Sequence, residues 1–304
     1  MNSMSPALGV AVSVIGLLTA GTIVRLSTLR DRTSPLARKR IASLFSWWIV
    51  AGWVLAAALG GRFVAAVLFS VVSCLAFREY VLLLGRERVG TLATGIGCVG
   101  IATTYVGLAT GAGPLWLASV PLAVALLSSG LLAGTAKLGA FPRRASCVVY
   151  GVLLACSLPA CSLLLGDPGG DEFAGMFLFL VGLTEWNDIL AAWTGRAIGK
   201  RKLAPMISPH KTVEGFVGGV LGTVALAWWL GPWLTSLNVV ESVFFGFVVA
   251  LAATAGDLNM SAIKRAAGVK DSGTLLPGQG GVLDRIDSLT FSAPVALVVS
   301  GWLR

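Results

Sequence analysis

The sequence predicts an all-α, polytopic integral membrane protein: a bundle of about ten transmembrane helices, with nine as the alternative count. Three observations lead there. The 304 residues are 56% hydrophobic and only 12% charged, against roughly 25% charged in a typical soluble domain, and mean hydropathy is +0.85. Apolar runs of about 20 residues, the length that crosses a bilayer, recur along the chain. The cations collect on alternate loops. A soluble globular enzyme is excluded, since a chain of this size could not bury so much apolar surface. Disorder is excluded because disordered chains are poor in apolar residues and rich in charge.

The expected spans are 6–25, 43–59, 63–84, 91–110, 114–134, 145–165, 173–193, 215–235, 240–257 and 288–303. The first lacks a basic leader, and its charges follow the apolar run, so it reads as a retained anchor rather than a cleaved signal peptide. Gly60-Gly61-Arg62 and Gly111-Ala112-Gly113-Pro114 read as tight hairpins between spans. Alternate loops at 25–42, 78–90, 135–144, 194–214 and 258–287 gather 21 of the 23 Lys and Arg residues. The opposite side keeps Arg62 and Arg304, with Asp167, Asp171, Glu172 and Glu241. Basic loops face the cytoplasm, which predicts a multi-pass protein of the cell membrane with both termini outside. The net charge of +9 then marks orientation and contact with membrane lipids, and no nucleic-acid partner is expected.

Cys74, Cys98, Cys147, Cys156 and Cys161 fall in or beside spans without metal-ligand spacing, and read as small core residues. The 38 glycines suit close helix packing, which permits a homodimer without demanding one. No linker or repeat cuts the chain. Its polar chemistry is one-sided, so residues 1–172 read as an N-terminal membrane scaffold facing lipid. Residues 173–304 read as the helices and cytoplasmic loops that carry a site.

That site is legible from costly acids. Glu185, Asp188, Glu214 and Asp257 lie in or at the ends of spans, and ionisable groups at membrane depth usually line a cavity or substrate path. The N-terminal half has one comparable acid, Glu79, near an interface. If the ninth span continues helically, Asp257, Ser261, Lys264 and Arg265 lie at i, i+4, i+7 and i+8 on one face. Carboxylate and hydroxyl suit Mg²⁺, and the cations suit phosphate oxygens. Lys270-Asp271-Ser272-Gly273 and the glycine-rich Pro277-Gly278-Gln279-Gly280-Gly281 follow; such a turn can bring main-chain N–H groups to phosphate. Asp284 and Asp287 close the run one helical turn apart. The competing reading is a solvated loop touching anionic lipid. The other polar stretch, Gly195–Gly215, contains Gly-x-x-x-Gly-Lys but lacks the following Ser or Thr and a preceding strand, so it is not a P-loop. It remains a cationic loop with Ser208 and Thr212. His210, without a paired acid, carries little weight.

Together the two stretches resemble the phosphatidate cytidylyltransferase family, the CDP-diacylglycerol synthases. The family pattern runs Ser-x-x-Lys-Arg, Lys-Asp-x-Gly, Pro-Gly-His-Gly-Gly and Asp-Arg-x-Asp. The chain matches it with Ser261, Lys264, Arg265, Lys270, Asp271, Gly273, Pro277, Gly278, Gly280, Gly281, Asp284, Arg285 and Asp287 in order and spacing. Lys200–Gly215 resembles the companion segment Gly-Lys-x-Lys-Leu-Ala-Pro-x-Ser-Pro-x-Lys-Thr-x-Glu-Gly. The likeness covers about residues 182–294. Three departures stand out: Gln279 replaces the usual His, Met260 replaces an acid, and Ile189-Leu190-Ala191-Ala192 replaces a polar, Tyr-containing run.

The resemblance implies a membrane nucleotidyltransferase of phospholipid biosynthesis that converts CTP and phosphatidate into CDP-diacylglycerol and pyrophosphate. It implies a catalytic set of Asp257, Lys264, Arg265, Asp284, Arg285 and Asp287. Mg²⁺ would sit on Asp257 and Asp284, with room for a second metal ion. Substrate contacts would come from Asp188, Lys200, Lys202, Ser208, Lys211, Thr212, Ser261, Lys270, Asp271, Gln279, Gly280 and Gly281. The departures leave two alternatives open: a cytidylyltransferase acting on another lipid phosphate, and a catalytically weakened paralogue.

Overall fold

The structure, a computed structural model, describes residues 6–28, 34–85, 89–109 and 171–303. Helix α1 is Pro6–Ser27, α2 Pro35–Leu84 and α3 Thr91–Ala109. After them come α4 (Asp171–Ile198), strands β1 (Lys202–Ala204) and β2 (Ser208–Thr212), then α5 (Val213–Leu234) and α6 (Val239–Ala266). The short α7 (Leu283–Ile286) and α8 (Leu289–Trp302) close the chain. This is the all-α membrane bundle that the composition predicts.

Among the described residues six segments are long and apolar enough to cross a membrane: Leu8–Ser27, Arg40–Gly61, Phe63–Leu84, Ala174–Ile198, Val213–Leu234 and Val239–Ala266. They fall on the first, second, third, seventh, eighth and ninth expected spans. The expected break at Gly60-Gly61 is a non-helical Gly61 (φ 75°) inside α2. The fourth expected span is α3, and those at 114–134 and 145–165 lie outside the described residues. The tenth is α8, whose 14 residues rise about 21 Å, short of the roughly 30 Å hydrocarbon core. Trp228, Trp229 and Trp233 are exposed near the C-terminal end of α5, where an aromatic belt at the membrane–water boundary would lie.

Helix α4 is the spine of the C-terminal half. It packs on α5, and α5 and α8 pack on α6. Phe179 of α4 stacks on Phe245 of α6, with ring centroids 5.6 Å apart, and Phe69 of α2 meets Phe177 edge-on. Helices in lipid associate through small residues and polar bonds rather than hydrophobic exclusion, and both occur here. A side-chain carbon at Gly215 of α5 would lie 2.6 Å from the Ala191 carbonyl oxygen of α4, and one at Gly219 would lie 3.0 Å from that of Asn187. This close seam runs along the turn of α4 that carries Asp188. Thr184 meets Ser292 at 3.2 Å, and the Asn187 amide donates to Thr254 at 3.2 Å, tying α4 to α8 and α6.

The stretch read as a cationic loop contains an antiparallel hairpin, with Lys202 opposite Thr212 and Ala204 opposite Ser208. Pro205 opens its turn, which the Ile207 amide closes on the Ala204 carbonyl at 3.1 Å. Charge and length favoured a loop there; paired strands need only this turn and two short extended runs.

Candidate active site

Helix α6 does continue past its apolar part, through Asp257, Ser261 and Lys264, so the expected one-face array exists. Residue 256 is glycine because the chain after α7 passes against it: a side-chain carbon there would lie 2.6 Å from the Asp287 carbonyl oxygen. This approach brings the Asp287 segment beside Asp257. The Lys264 ammonium donates to Asp284 at 2.7 Å and lies 3.9 Å from Asp287. Asp257 accepts from the Lys211 ammonium of β2 and from the Ser261 hydroxyl, the latter at 3.3 Å. Asp188 of α4 accepts from the Ser288 hydroxyl at 2.9 Å. Four elements thus deliver one cluster of acids and lysines.

The glycine-rich segment is a scaffold of main-chain bonds. Leu276-Pro277-Gly278-Gln279 forms a turn closed by the Gln279 amide on the Leu276 carbonyl at 3.0 Å. Pro at the second position and Gly278 at φ 77° in the third are the residues a type II turn requires. The amides of Ser272 and Gly281 both donate to Asp284 at 2.9 Å. The amides of Val282 and Leu283 donate to Glu79 of α2 at 3.0 and 2.9 Å, and the Ser272 hydroxyl does so at 3.1 Å. Of the glycine-rich turn whose main-chain N–H groups suit phosphate, Gly281 gives its amide to a carboxylate, that of Asp284. The N-terminal half also grips the segment through Ser46, whose hydroxyl donates to the Pro277 carbonyl, and Ser43, whose carbonyl accepts from the Gln279 amide at 3.0 Å. The sequence showed Glu79 as a costly acid; it gave no sign of Ser43, Ser46 or Trp47.

Three adjoining cavities surround the cluster. The first, about 680 Å³, lies against α4, α5 and the hairpin, and takes in Asp188, Lys202, Ser208, Lys211, Thr212 and Asp257. The second, about 470 Å³, shares Asp188 and Asp257 with it and adds Lys264, Asp271, Asp284, Arg285 and Asp287. The third, about 490 Å³, joins the second through Asp271, Gln279 and Arg285, and adds Lys270 and Gly280. Four expected residues line none of the three. Lys200 is exposed, and its main-chain amide donates to Glu214 at 2.9 Å. Arg265 donates to the carbonyls of Ile207 and Val269 at 3.3 and 2.8 Å, linking α6 to the hairpin turn. Ser261 supports Asp257, and Gly281 supports Asp284. The hydroxyl of Thr212 caps α5 by accepting the Gly215 amide at 3.1 Å.

The two carboxylates of the final motif are shifted in opposite directions. Burial works to raise the Asp284 carboxyl, but the Lys264 ammonium and the Gly281 and Ser272 amides outweigh it and hold it below its ordinary value. Asp287 is pushed up to about 7, by burial first and then by the neighbouring Asp257 carboxylate.

A hard dication such as Mg²⁺ takes oxygen ligands, and the carboxylates of the second cavity are donors of that kind. Six acids line the second cavity beside three cations, Arg196, Lys264 and Arg285. Among the described residues no three His, Cys, Asp or Glu side chains form a ready ligand group. Lys264 and Lys211 occupy the carboxylates that would bind such an ion.

Comparison with known proteins adds three findings. The profile of the Cytidylyltransferase family matches residues 40–302. The chain is 37% identical over 291 residues to the uncharacterized protein YnbB of Escherichia coli (strain K12), covering 93% of this chain and 94% of that protein. It is 45% identical over 131 residues to the phosphatidate cytidylyltransferase of Haemophilus influenzae, and 42% identical over 135 residues to that of Thermotoga maritima. Those two matches cover 41% and 42% of this chain, and 46% and 50% of the relatives.

Proposed function

We propose that this chain, which belongs to the cytidylyltransferase family, transfers the cytidylyl group of CTP to phosphatidate, giving CDP-diacylglycerol and pyrophosphate. Family membership makes it a CTP-dependent nucleotidyltransferase set in a membrane. The lipid, the cytoplasmic side and the residue roles are our reading. The observation that carries it is the Lys264–Asp284–Asp287 group, set beside Asp188 and Asp257 in one cavity. The one-sided cations support a cytoplasmic site.

A phosphate monoester is largely ionised at neutral pH, so its oxygen can attack the α-phosphorus of CTP without a strong base. The bond from that phosphorus to the bridging oxygen breaks, and pyrophosphate leaves with the electron pair. Catalysis is then positioning and charge neutralisation. Lys264 and Arg285 neutralise charge on the reacting phosphates. Lys211 and Lys202 hold the incoming lipid phosphate, and Asp188 and Asp257 separate the two cationic regions. Mg²⁺ on Asp257 and Asp284, with Asp287 as a further ligand or a supporting carboxylate, would supply charge neutralisation at the nucleotide phosphates, and a second ion would draw on the same acids.

A second reading has a specific observation behind it. Similarity to YnbB runs the length of the chain, whereas similarity to named phosphatidate cytidylyltransferases covers less than half of it. The residues after Asp188 are also apolar where the resemblance leads one to expect polar ones. Both favour a different lipid phosphate as acceptor. The test is incorporation of labelled CTP into chloroform-extractable lipid by the purified protein, with and without Mg²⁺, across several lipid phosphates. Product from phosphatidate alone supports the first reading, and product from another lipid phosphate alone supports the second. No product from any of them overturns both.

A further inference from the structure

The third cavity has walls that the transfer chemistry leaves unused. Ser43, Ser46 and Trp47 lie at i, i+3 and i+4 on one face of α2. Ser43 and Ser46 bind the type II turn, and Trp47 lines both this cavity and the acid-lined one. The remaining walls are Lys270, Asp271, Thr274, Gln279, Arg285 and glycine main chain; Leu276 is the other apolar side chain. The volume of about 490 Å³ is in the range of small-molecule sites.

Two side chains shared by these cavities carry buried polar atoms without a partner among the described residues: the Gln279 Oε1 and the Arg285 Nε. The orientation of the Gln279 amide follows from its neighbour. A carbonyl can only accept, so the atom facing Ser43 is the NH₂, and the oxygen is left as a free acceptor. A buried polar group without a partner is costly unless a ligand supplies one. One aromatic ring, one spare acceptor and one spare donor, with Lys270 and Arg285 alongside, suit a flat heterocycle that carries an amino group and a carbonyl and ends in phosphate.

We infer that this cavity takes the nucleoside end of the nucleotide, with Trp47 against the face of the base and the Gln279 amide oxygen accepting from its exocyclic amine. The inference rests on the CTP-dependent reading above. Cytosine offers the amine; uracil would turn a carbonyl toward the same oxygen, acceptor against acceptor. The lipid phosphate is left with the cavity of α4, α5 and the hairpin. That cavity has apolar walls in Ala191, Leu203 and Phe216, and cations in Arg196, Lys202 and Lys211.

The test uses the full chain in detergent, with equilibrium binding of labelled CTP measured beside steady-state kinetics. A base stacked on an aromatic ring contributes about 1–3 kcal/mol, or roughly 5- to 150-fold. Trp47→Ala is expected to weaken CTP binding and raise the CTP KM by about tenfold or more on that scale. Its lipid-phosphate KM should stay near wild type, and Trp47→Phe should restore CTP binding. Gln279→Ala is expected to narrow the preference for CTP over UTP. Lys202→Ala should raise the lipid-phosphate KM and leave CTP binding alone. Unchanged CTP affinity in a folded Trp47→Ala or Trp47→Leu protein would overturn the inference, as would a rise confined to the lipid KM. Failure of the wild type to bind CTP would instead overturn the functional reading beneath it.

Discussion

The Glu79 carboxylate accepts the main-chain N–H of Leu283 at 2.9 Å, joining positions 204 residues apart. The same carboxylate accepts from Val282 and from the Ser272 hydroxyl, so one buried acid of α2 holds the segment that presents Asp284. Glu79→Ala leaves two buried amides without an acceptor, each costing about 1–3 kcal/mol. The purified variant should melt several degrees lower in detergent and exchange the amide hydrogens of residues 282 and 283 faster. Glu79→Gln, which keeps one acceptor oxygen, should fall between. Melting and exchange like wild type in Glu79→Ala would show that other contacts hold the segment.

Asp284 receives the Lys264 ammonium on one oxygen and two main-chain amides on the other. Asn keeps an acceptor for the amides but removes the charge that faces Lys264 and that a metal would need. Asp284→Asn should therefore melt close to wild type while kcat falls on the order of 100-fold or more, the scale set by deleting one preorganised electrostatic group. Full activity in this variant would remove both the metal proposal and the role given to Lys264.

Asp287 predicts an unusual pH dependence. Its carboxyl is pushed up to about 7 in the folded protein, against about 3.9 in an unfolded chain. Between those values the folded state keeps a proton that the unfolded state has lost. Stability measured without divalent ions should fall as pH rises from about 4 to 7, then level off. Asp287→Asn should flatten that slope. The check is the denaturation midpoint in detergent at several pH values; a slope unchanged by the substitution would assign it to another group.

Much of this was legible because lipid makes polar residues conspicuous. Asp188, Asp257 and Lys264 stood out as charges against apolar spans, and the structure lines one cavity with all three. Spacing puts Asp257 and Lys264 on one face only if the ninth span continues as a helix, and α6 does continue, to Ala266. The contribution of α2 was not legible, because Ser43, Ser46 and Trp47 sit inside a span where Ser and Trp are ordinary packing residues. Their role depends on a turn more than 230 positions away, and the bond between Ser43 and Gln279 crosses 236. The β-hairpin is hidden for the opposite reason: strands of three and five residues, each with one Lys, give no alternating apolar pattern to read.

At Gly256 helix packing and chemistry meet. A methyl group there would meet the Asp287 carbonyl oxygen at 2.6 Å and that of Ser288 at 3.2 Å. Both are main-chain atoms, which cannot swing aside as a side chain would. Overpacking of this kind costs about 1–3 kcal/mol, and the relief available is to push the Asp287 segment off α6 and away from Asp257. Alanine is also the better helix former by about 1 kcal/mol, so α6 itself is not weakened. Gly182 of α4 is the matched control, since a side-chain carbon there meets nothing within 4 Å. Gly182→Ala should be active and slightly more stable. Gly256→Ala should lose more than about tenfold in kcat, because small displacements of reacting groups carry large penalties, and its melting temperature should drop. If Gly256→Ala instead behaves like Gly182→Ala in both measurements, the close approach of the two segments is not what sets the acid cluster.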